Sequence, residues 1–329
     1  MEGERAQTAS RRSLERTRQA GESRKTVLIA LSANAAIAVA KAGGGLVSGS
    51  AGMLAEAAHS IADTMNQVFL LFSLALGERP PDAEHPFGHG KERFFWSFLA
   101  AVGIFVAGAG FSLYEGLDRV FGPAQEPGWF GIAYAVLAFS LLAEGASLAR
   151  AWRQTRREAR ERRRSHVDYL RASRDPTTKT VLFEDSAAVV GVVLACAGIA
   201  LHQATGNQVY DGLASIAIAV LLATIAVALG RDTRELLIGE AATPEEREAI
   251  MEIIQSDPAV DRVLELLTMA LAPDRLLVAV RVDLADGLTA DEIERASTEI
   301  ERQLRERVPT VWQVFLDATP RSEVAQASD

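Results

Sequence analysis

Cysteine is almost absent from this sequence: Cys196 stands alone. That excludes an intrachain disulfide and a thiolate metal cluster, and its place inside an apolar stretch makes it a small packing residue. Histidine is scarce, with five in 329 residues and none after His202. The C-terminal part of the chain therefore has no imidazole to offer a metal. No His-Glu-x-x-His occurs, and no nucleophile–base pair is evident, so the sequence carries no mark of an intramembrane metalloenzyme. The first 25 residues lack the apolar core of a signal peptide, and Glu2, Glu4, Glu15 and Glu22 break the acid-poor pattern of a transit peptide. They read as a cytoplasmic, mostly disordered tail. A basic soluble domain is also missing: the net charge is −9 and the last hundred residues are acidic, which removes nucleic acid as a partner.

What the sequence has in quantity is apolar residues in blocks. Apolar residues make up 49% of the chain and charged ones 23%, but the two classes are segregated. Six stretches are long enough to cross about 30 Å of hydrocarbon: Val27 to Val47, Ala51 to Leu76, Phe94 to Leu117, Trp129 to Ala149, Thr180 to Ala200, and Gly212 to Leu229. In lipid each must be helical, because bare backbone polar groups have no water there. Basic residues fall in alternate loops. They stand before the first span (Arg11, Arg12, Arg16, Arg18), between the second and third (Arg79, Lys91, Arg93), in the run from Arg153 to Arg174, and after the sixth (Arg231, Arg234). The opposite loops hold Arg119 alone. This places both termini in the cytoplasm.

After Arg231 the pattern changes to a small α+β domain. Thr243-Pro-Glu-Glu246 is a capping box opening a helix to about Gln255. Val260 to Leu271 reads as a strand. Val278, Val280 and Val282 alternate along a second, half-buried one. Thr289-Ala-Asp-Glu292 opens a helix to about Arg307, and Val311 to Asp317 forms a last strand. The order α-β-β-α-β predicts an open sheet with helices on one face. The expected domains are a tail over 1–25, a transport domain over 26–231, a cytoplasmic domain over 232–320 and a disordered tail over 321–329.

Ionisable groups at mid-bilayer cost roughly 2.5–3.5 kcal/mol each on insertion scales, so each invites a functional reading. His59 and Asp63 lie one turn apart on one face of the second span, with Glu56, Asn66 and Gln67 on the same stripe. An imidazole and a carboxylate so placed can chelate a divalent ion, or bind protons once the metal has left. The alternative is a satisfied helix–helix hydrogen bond. The fifth span holds Glu184-Asp185, adjacent residues that point about 100° apart, so only one is expected to face a site. The spacing alone leaves open which one. Glu144 in the fourth span is a weaker candidate, with a structural pairing to Lys41 or Asn34 as the favoured alternative. The loop residues Asp82, Glu84, His85 and His89 have metal-ligand spacing, with a hydrogen-bonded anchor for the loop as the alternative. His166 and His202 are read as surface residues.

These residues resemble the cation diffusion facilitator family. The resemblance rests on Asn34, Lys41, Ser48-Gly-Ser50, His59-Ser-Ile-Ala-Asp63, His85-Pro-Phe-Gly-His-Gly90 and Tyr210-Asp-Gly-Leu-Ala-Ser215. It implies a homodimer of proton-coupled transporters for zinc, manganese or iron(II), with six transmembrane helices and a cytoplasmic ferredoxin-like domain. It implies a tetrahedral transport site with two ligands from the second helix, matched by His59 and Asp63. The other two come from the fifth helix as His-x-x-x-Asp. With Asp185 at the aspartate, Val181 stands where the histidine belongs, and Glu184 supplies a ligand only if the helix is rotated or unwound. This departure is similar to the branch containing the mitochondrial zinc-transporter-like proteins, and it tilts preference toward harder ions. Asp82, His85 and His89 match a second metal site of the family. The metal is cargo rather than a cofactor, and no enzyme activity is implied. The location expected is a multi-pass protein of the cell membrane. The rival reading is a non-transporting scaffold or metal-responsive partner that keeps the transporter fold.

Overall fold

The computed structural model describes residues 31–32, 34–123, 128–161, 164–173 and 176–319. The tails expected over 1–25 and 321–329 lie outside those residues, as does the start of the first expected span. Helix α1 covers 34–48. It is followed by α2 (Ala51–Gly77), α3 (Glu92–Phe121), α4 (Phe130–Glu161), a short α5 (His166–Ala172), α6 (Pro176–Thr205) and α7 (Val209–Ile238). Among the described residues, five helices (α2, α3, α4, α6 and α7) are long and apolar enough to cross a membrane. Each covers the apolar stretch expected for it to within one residue and runs past its C-terminal end, because the polar flanks keep helical hydrogen bonds in water. The extension is largest in α4, whose 32 residues reach about 48 Å. It therefore carries Arg150 to Arg160 well beyond the hydrocarbon.

The bundle packs α7 against α2, α3 and α6. Met53, Ile104, Leu137, Val192, Ile218 and Leu222 form the shared core. Small residues set the closest approaches, as expected where lipid supplies no hydrophobic drive between helices. A Cβ on Gly198 would meet Ala214 Cβ at 2.5 Å, and one on Gly116 would meet Gly212 O at 2.8 Å. The outer surface is as apolar as the core: Leu142 is 75% exposed and Val106 64%. A patch this continuous on the outside fits lipid, not water. Midway along α3, Ile104–Gly110 is π-helical. Such a bulge leaves backbone carbonyls free, and Ser112 Oγ donates to Gly108 O at 2.7 Å.

The C-terminal unit contains α8 (Pro244–Gln255), β1 (Val260–Ala272), β2 (Arg275–Leu284), α9 (Ala290–Arg307) and β3 (Val311–Ala318). The sheet order is β1-β2-β3, with β1–β2 antiparallel and β2–β3 parallel. Leu276, Val278, Val280 and Val282 point to one face, where Ile250, Ile254, Ile300 and Leu304 cover them. Both helices therefore sit on one side, as the alternation predicts. The capping box also forms: Glu246 N–H donates to Thr243 Oγ1 at 3.3 Å, and Thr243 N–H donates to Glu246 Oε2 at 2.9 Å. Thr243→Ala should weaken this helix start by about 1 kcal/mol. Faster amide exchange over the first turn of α8 is the measurement.

The two histidines read as surface residues are not bare. His202 is 9% exposed and sits edge-on to Phe130, with ring centroids 5.3 Å apart. His166 Nε2 lies 2.7 Å from Thr155 Oγ1 and its ring packs on Trp152, folding α5 back against α4.

Candidate metal-transport site

Helix α2 carries the best cluster. Its start is fixed from outside: Asp211 of α7 accepts hydrogen bonds from Ser50 Oγ at 2.7 Å, Ala51 N at 2.6 Å and Gly52 N at 3.2 Å. Three turns on, His59 is 1% exposed, and its Nδ1 lies 3.6 Å from Asp63 Oδ1. That is too long for a hydrogen bond. Among the described residues, neither ring nitrogen of His59 has a hydrogen-bond partner, and neither does Asp63 Oδ1, whereas buried polar atoms normally find partners.

Helix α6 brings both of its carboxylates to the same space. Asp63, Glu184 and Asp185 line one cavity of about 370 Å³ together with Asn66, Gln67, Glu144, Ser147 and Arg150. Glu184 is 8% exposed. Its Oε2 accepts from Asn66 Nδ2 at 2.6 Å, while its Oε1 is unpaired. Asp185 also has an unpaired oxygen, and it faces Ser147 and Arg150 of α4. The expectation that only one of the two faces the site is thus corrected. α6 runs along the cavity wall, so a 100° turn still leaves both side chains inside. Glu184 needs no unwinding to reach α2, since it meets Asn66 of that helix. Val181 lines the cavity without offering a ligand. From Asp63 the cavity extends past Leu70 and Arg150, toward the end of the bundle where the C-terminal unit sits.

Glu56 does not join this cluster. Its Oε2 accepts from the buried Lys41 Nζ at 2.9 Å, and Lys41 also donates to Glu144 Oε1 at 2.7 Å. The expected Lys41–Glu144 pair is therefore present, with Glu56 as a third member.

The loop between α2 and α3 builds a tighter group. Among the described residues, Asp82, His85 and His89 are the one set of three whose ligand atoms all lie within 4.8 Å of one another. Asp82 Oδ2 is 2.9 Å from His89 Nε2, and Asp82 Oδ1 accepts from the backbone N–H of His85 at 2.6 Å and of Glu84 at 3.0 Å. The His89 contact, then these amides, pull the Asp82 carboxyl down to about 2, so it is ionised at any physiological pH. The motif has a mechanical reason. Pro86 occupies the second position of a turn closed by Gly88 N–H to His85 O at 2.9 Å, and Gly88 takes φ +77°. A Cβ on Gly90 would meet Leu271 O at 2.6 Å, so only glycine lets the loop lie on β1. Phe87 stacks edge-on against Phe315, and Lys91 Nζ donates to Leu237 O at 3.3 Å. The loop therefore has ligand spacing, and its contacts also join the bundle to the sheet.

Fold and site together define an integral multi-pass membrane protein with unpaired metal-type ligands inside its bundle. The chain belongs to the cation efflux family, a family of cation transporters and not of enzymes, in which metal ions are substrate. Residues 27–238 match its transmembrane domain and residues 242–320 its cytoplasmic domain. The chain is 33% identical over 282 residues to the human proton-coupled zinc antiporter SLC30A9, mitochondrial, covering 86% of this chain and 49% of that one. It is 33% identical over 261 residues to metal tolerance protein C4 of Arabidopsis thaliana, covering 79% and 57%. It is 25% identical over 304 residues to the manganese efflux system protein MneP of Bacillus subtilis, covering 92% and 97%. The chain thus spans about half the length of the mitochondrial relative.

Sequence reasoning missed the α4 wall of the cavity and the grip of Asp211. Ser147 and Arg150 follow Glu144 at helical spacing, and that was the available signal. Asp211 had none beyond its place in a motif.

Proposed function

We propose that this protein exchanges a divalent metal ion for protons across a membrane, moving zinc, manganese or iron(II) out of the cytoplasm. The unpaired nitrogens of His59 beside the unpaired oxygens of Asp63 and Glu184 carry this reading. His59, Asp63 and Glu184 hold the ion, and Asp185 contributes from the mouth. Entry is from the side of the C-terminal unit, toward which the cavity extends. The alternating basic loops support that side as cytoplasmic, with both termini there. The same ligands take up protons when the ion leaves, which couples the two fluxes. The family match beginning at residue 27 supports counting the first apolar stretch as a sixth span, and the α-β-β-α-β order with its mixed sheet fits a ferredoxin-like domain. That domain pairs two copies into a homodimer. The domain limits are those read from the sequence. The location is the cell membrane, although one of the relatives above is named mitochondrial.

The test is metal uptake into sealed vesicles containing the purified chain, driven by an imposed pH gradient. Uptake should collapse when the gradient is dissipated. Uptake equal to that of empty vesicles for all three metals would leave the scaffold reading.

Asp82, His85 and His89 form a second metal site in the loop. Zinc titration of an Asp63→Asn background should still find it. Adding His89→Ala should weaken that binding by about 10- to 100-fold, since the change removes both a donor and the partner of Asp82.

A further inference from the structure

One buried group has no part in that site. Lys41 is completely buried at the meeting of α1, α2 and α4, with its Nζ between Glu56 Oε2 at 2.9 Å and Glu144 Oε1 at 2.7 Å. Glu56 is also fully buried. The second oxygen of each carboxylate, Glu56 Oε1 and Glu144 Oε2, is buried and has no partner. α6 makes room here: a Cβ on Gly191 would collide with Glu56 Oε1. Glu144 is also a wall of the cavity that holds Asp63, Glu184 and Asp185. The arrangement is that of a cation site: two carboxylates from different helices, each with an oxygen to spare. It is filled by an ammonium on a side chain.

We propose that Lys41 is a resident cation occupying a second carboxylate site, Glu56–Glu144, which adjoins the transport cavity at Glu144, and that it limits the protein to one dication per protomer at the transport site. The inference rests on His59 and Asp63 being the transport site and adds to it a residue that sets stoichiometry. Buried carboxylates need a positive partner. A tethered one cannot be transported, so Glu56 and Glu144 stay out of the transport cycle. A salt bridge that only clipped three helices together would leave metal stoichiometry unchanged when altered.

The experiment counts zinc bound per protomer by equilibrium dialysis of the full-length protein in nanodiscs. All forms carry His85→Ala and His89→Ala to silence the loop. Lys41→Met should gain one further zinc equivalent. The gain should vanish in Lys41→Met with Glu56→Gln and Glu144→Gln, and should survive in Lys41→Met with Asp63→Asn. An unchanged count in folded Lys41→Met overturns the proposal. If Lys41→Met does not fold, Lys41→Gln decides: it keeps a donor to Glu56 and Glu144 but removes the tethered positive charge, so it should also gain one zinc equivalent, and an unchanged count overturns the proposal. A parent that binds none of zinc, manganese and iron(II) refutes the transport reading, whereas a parent that binds zinc with no gain in Lys41→Met refutes this inference alone.

Discussion

Asp63→Asn should lower pH-driven metal uptake by at least about a hundredfold while leaving the protein folded. Changes in groups that merely orient a ligand already cost 10- to 100-fold in affinity, and Asp63 is placed as a ligand itself. Asparagine keeps the shape and removes the charge, so the helix packing around the 15% exposed side chain is undisturbed. Glu184→Gln should fall as far. It stands across the cavity from Asp63 with Oε1 free, and its Oε2 fixes Asn66 one turn along α2. Asp185→Asn should be milder, because Asp185 faces Ser147 and Arg150 rather than α2. Initial rates over a range of metal concentrations give the order. A Glu184→Gln protein with parental rates beside an inactive Asp185→Asn one would restore the assignment made from the sequence alone.

The choice between Glu184 and Asp185 shows where sequence reading stops. His59 and Asp63 were legible because both lie on one helix, and an i, i+4 spacing in an apolar run determines their common face. The edges of α8 and α9 were legible for the same reason, since their capping boxes are local. Glu184 and Asp185 are adjacent, and helical geometry alone states only that they diverge. Which one meets α2 depends on where α6 lies against Asn66, 118 residues away in sequence. His202 was misread because the Phe130 ring that covers it comes from α4. The Lys41–Glu144 pair was anticipated, being the obvious match of buried opposite charges. Glu56 was assigned to the metal stripe, because periodicity gives a face of the helix and says nothing about what competes for the side chain there.

Asp211 is the residue whose role was least visible and whose loss should cost most in stability. It is fully buried, and it accepts three hydrogen bonds from residues about 160 positions earlier: one from a hydroxyl and two from the first amides of α2. Those amides are the donors a helix start leaves without intrahelical partners. Asp211 is fully buried at the end of the bundle, where water does not reach to replace the carboxylate, so Asp211→Ala strands two buried N–H groups, each worth about 1–3 kcal/mol. The total should be about 3–5 kcal/mol, read as a lowered midpoint in denaturant titration of the protein in detergent. Asp211→Asn, which keeps one acceptor oxygen, should lose about half as much. The effect should also reach transport, because Gly52 packs directly against Asp211 Oδ1 and Ala195 of α6. Through that contact one carboxylate sets the start of α2 against α6, and so the distance from His59 and Asp63 to Glu184. Reduced metal affinity in folded Asp211→Asn protein, measured below its melting temperature, separates this positioning from simple destabilisation. Parental affinity there would mean that α2 is held in place by its packing alone.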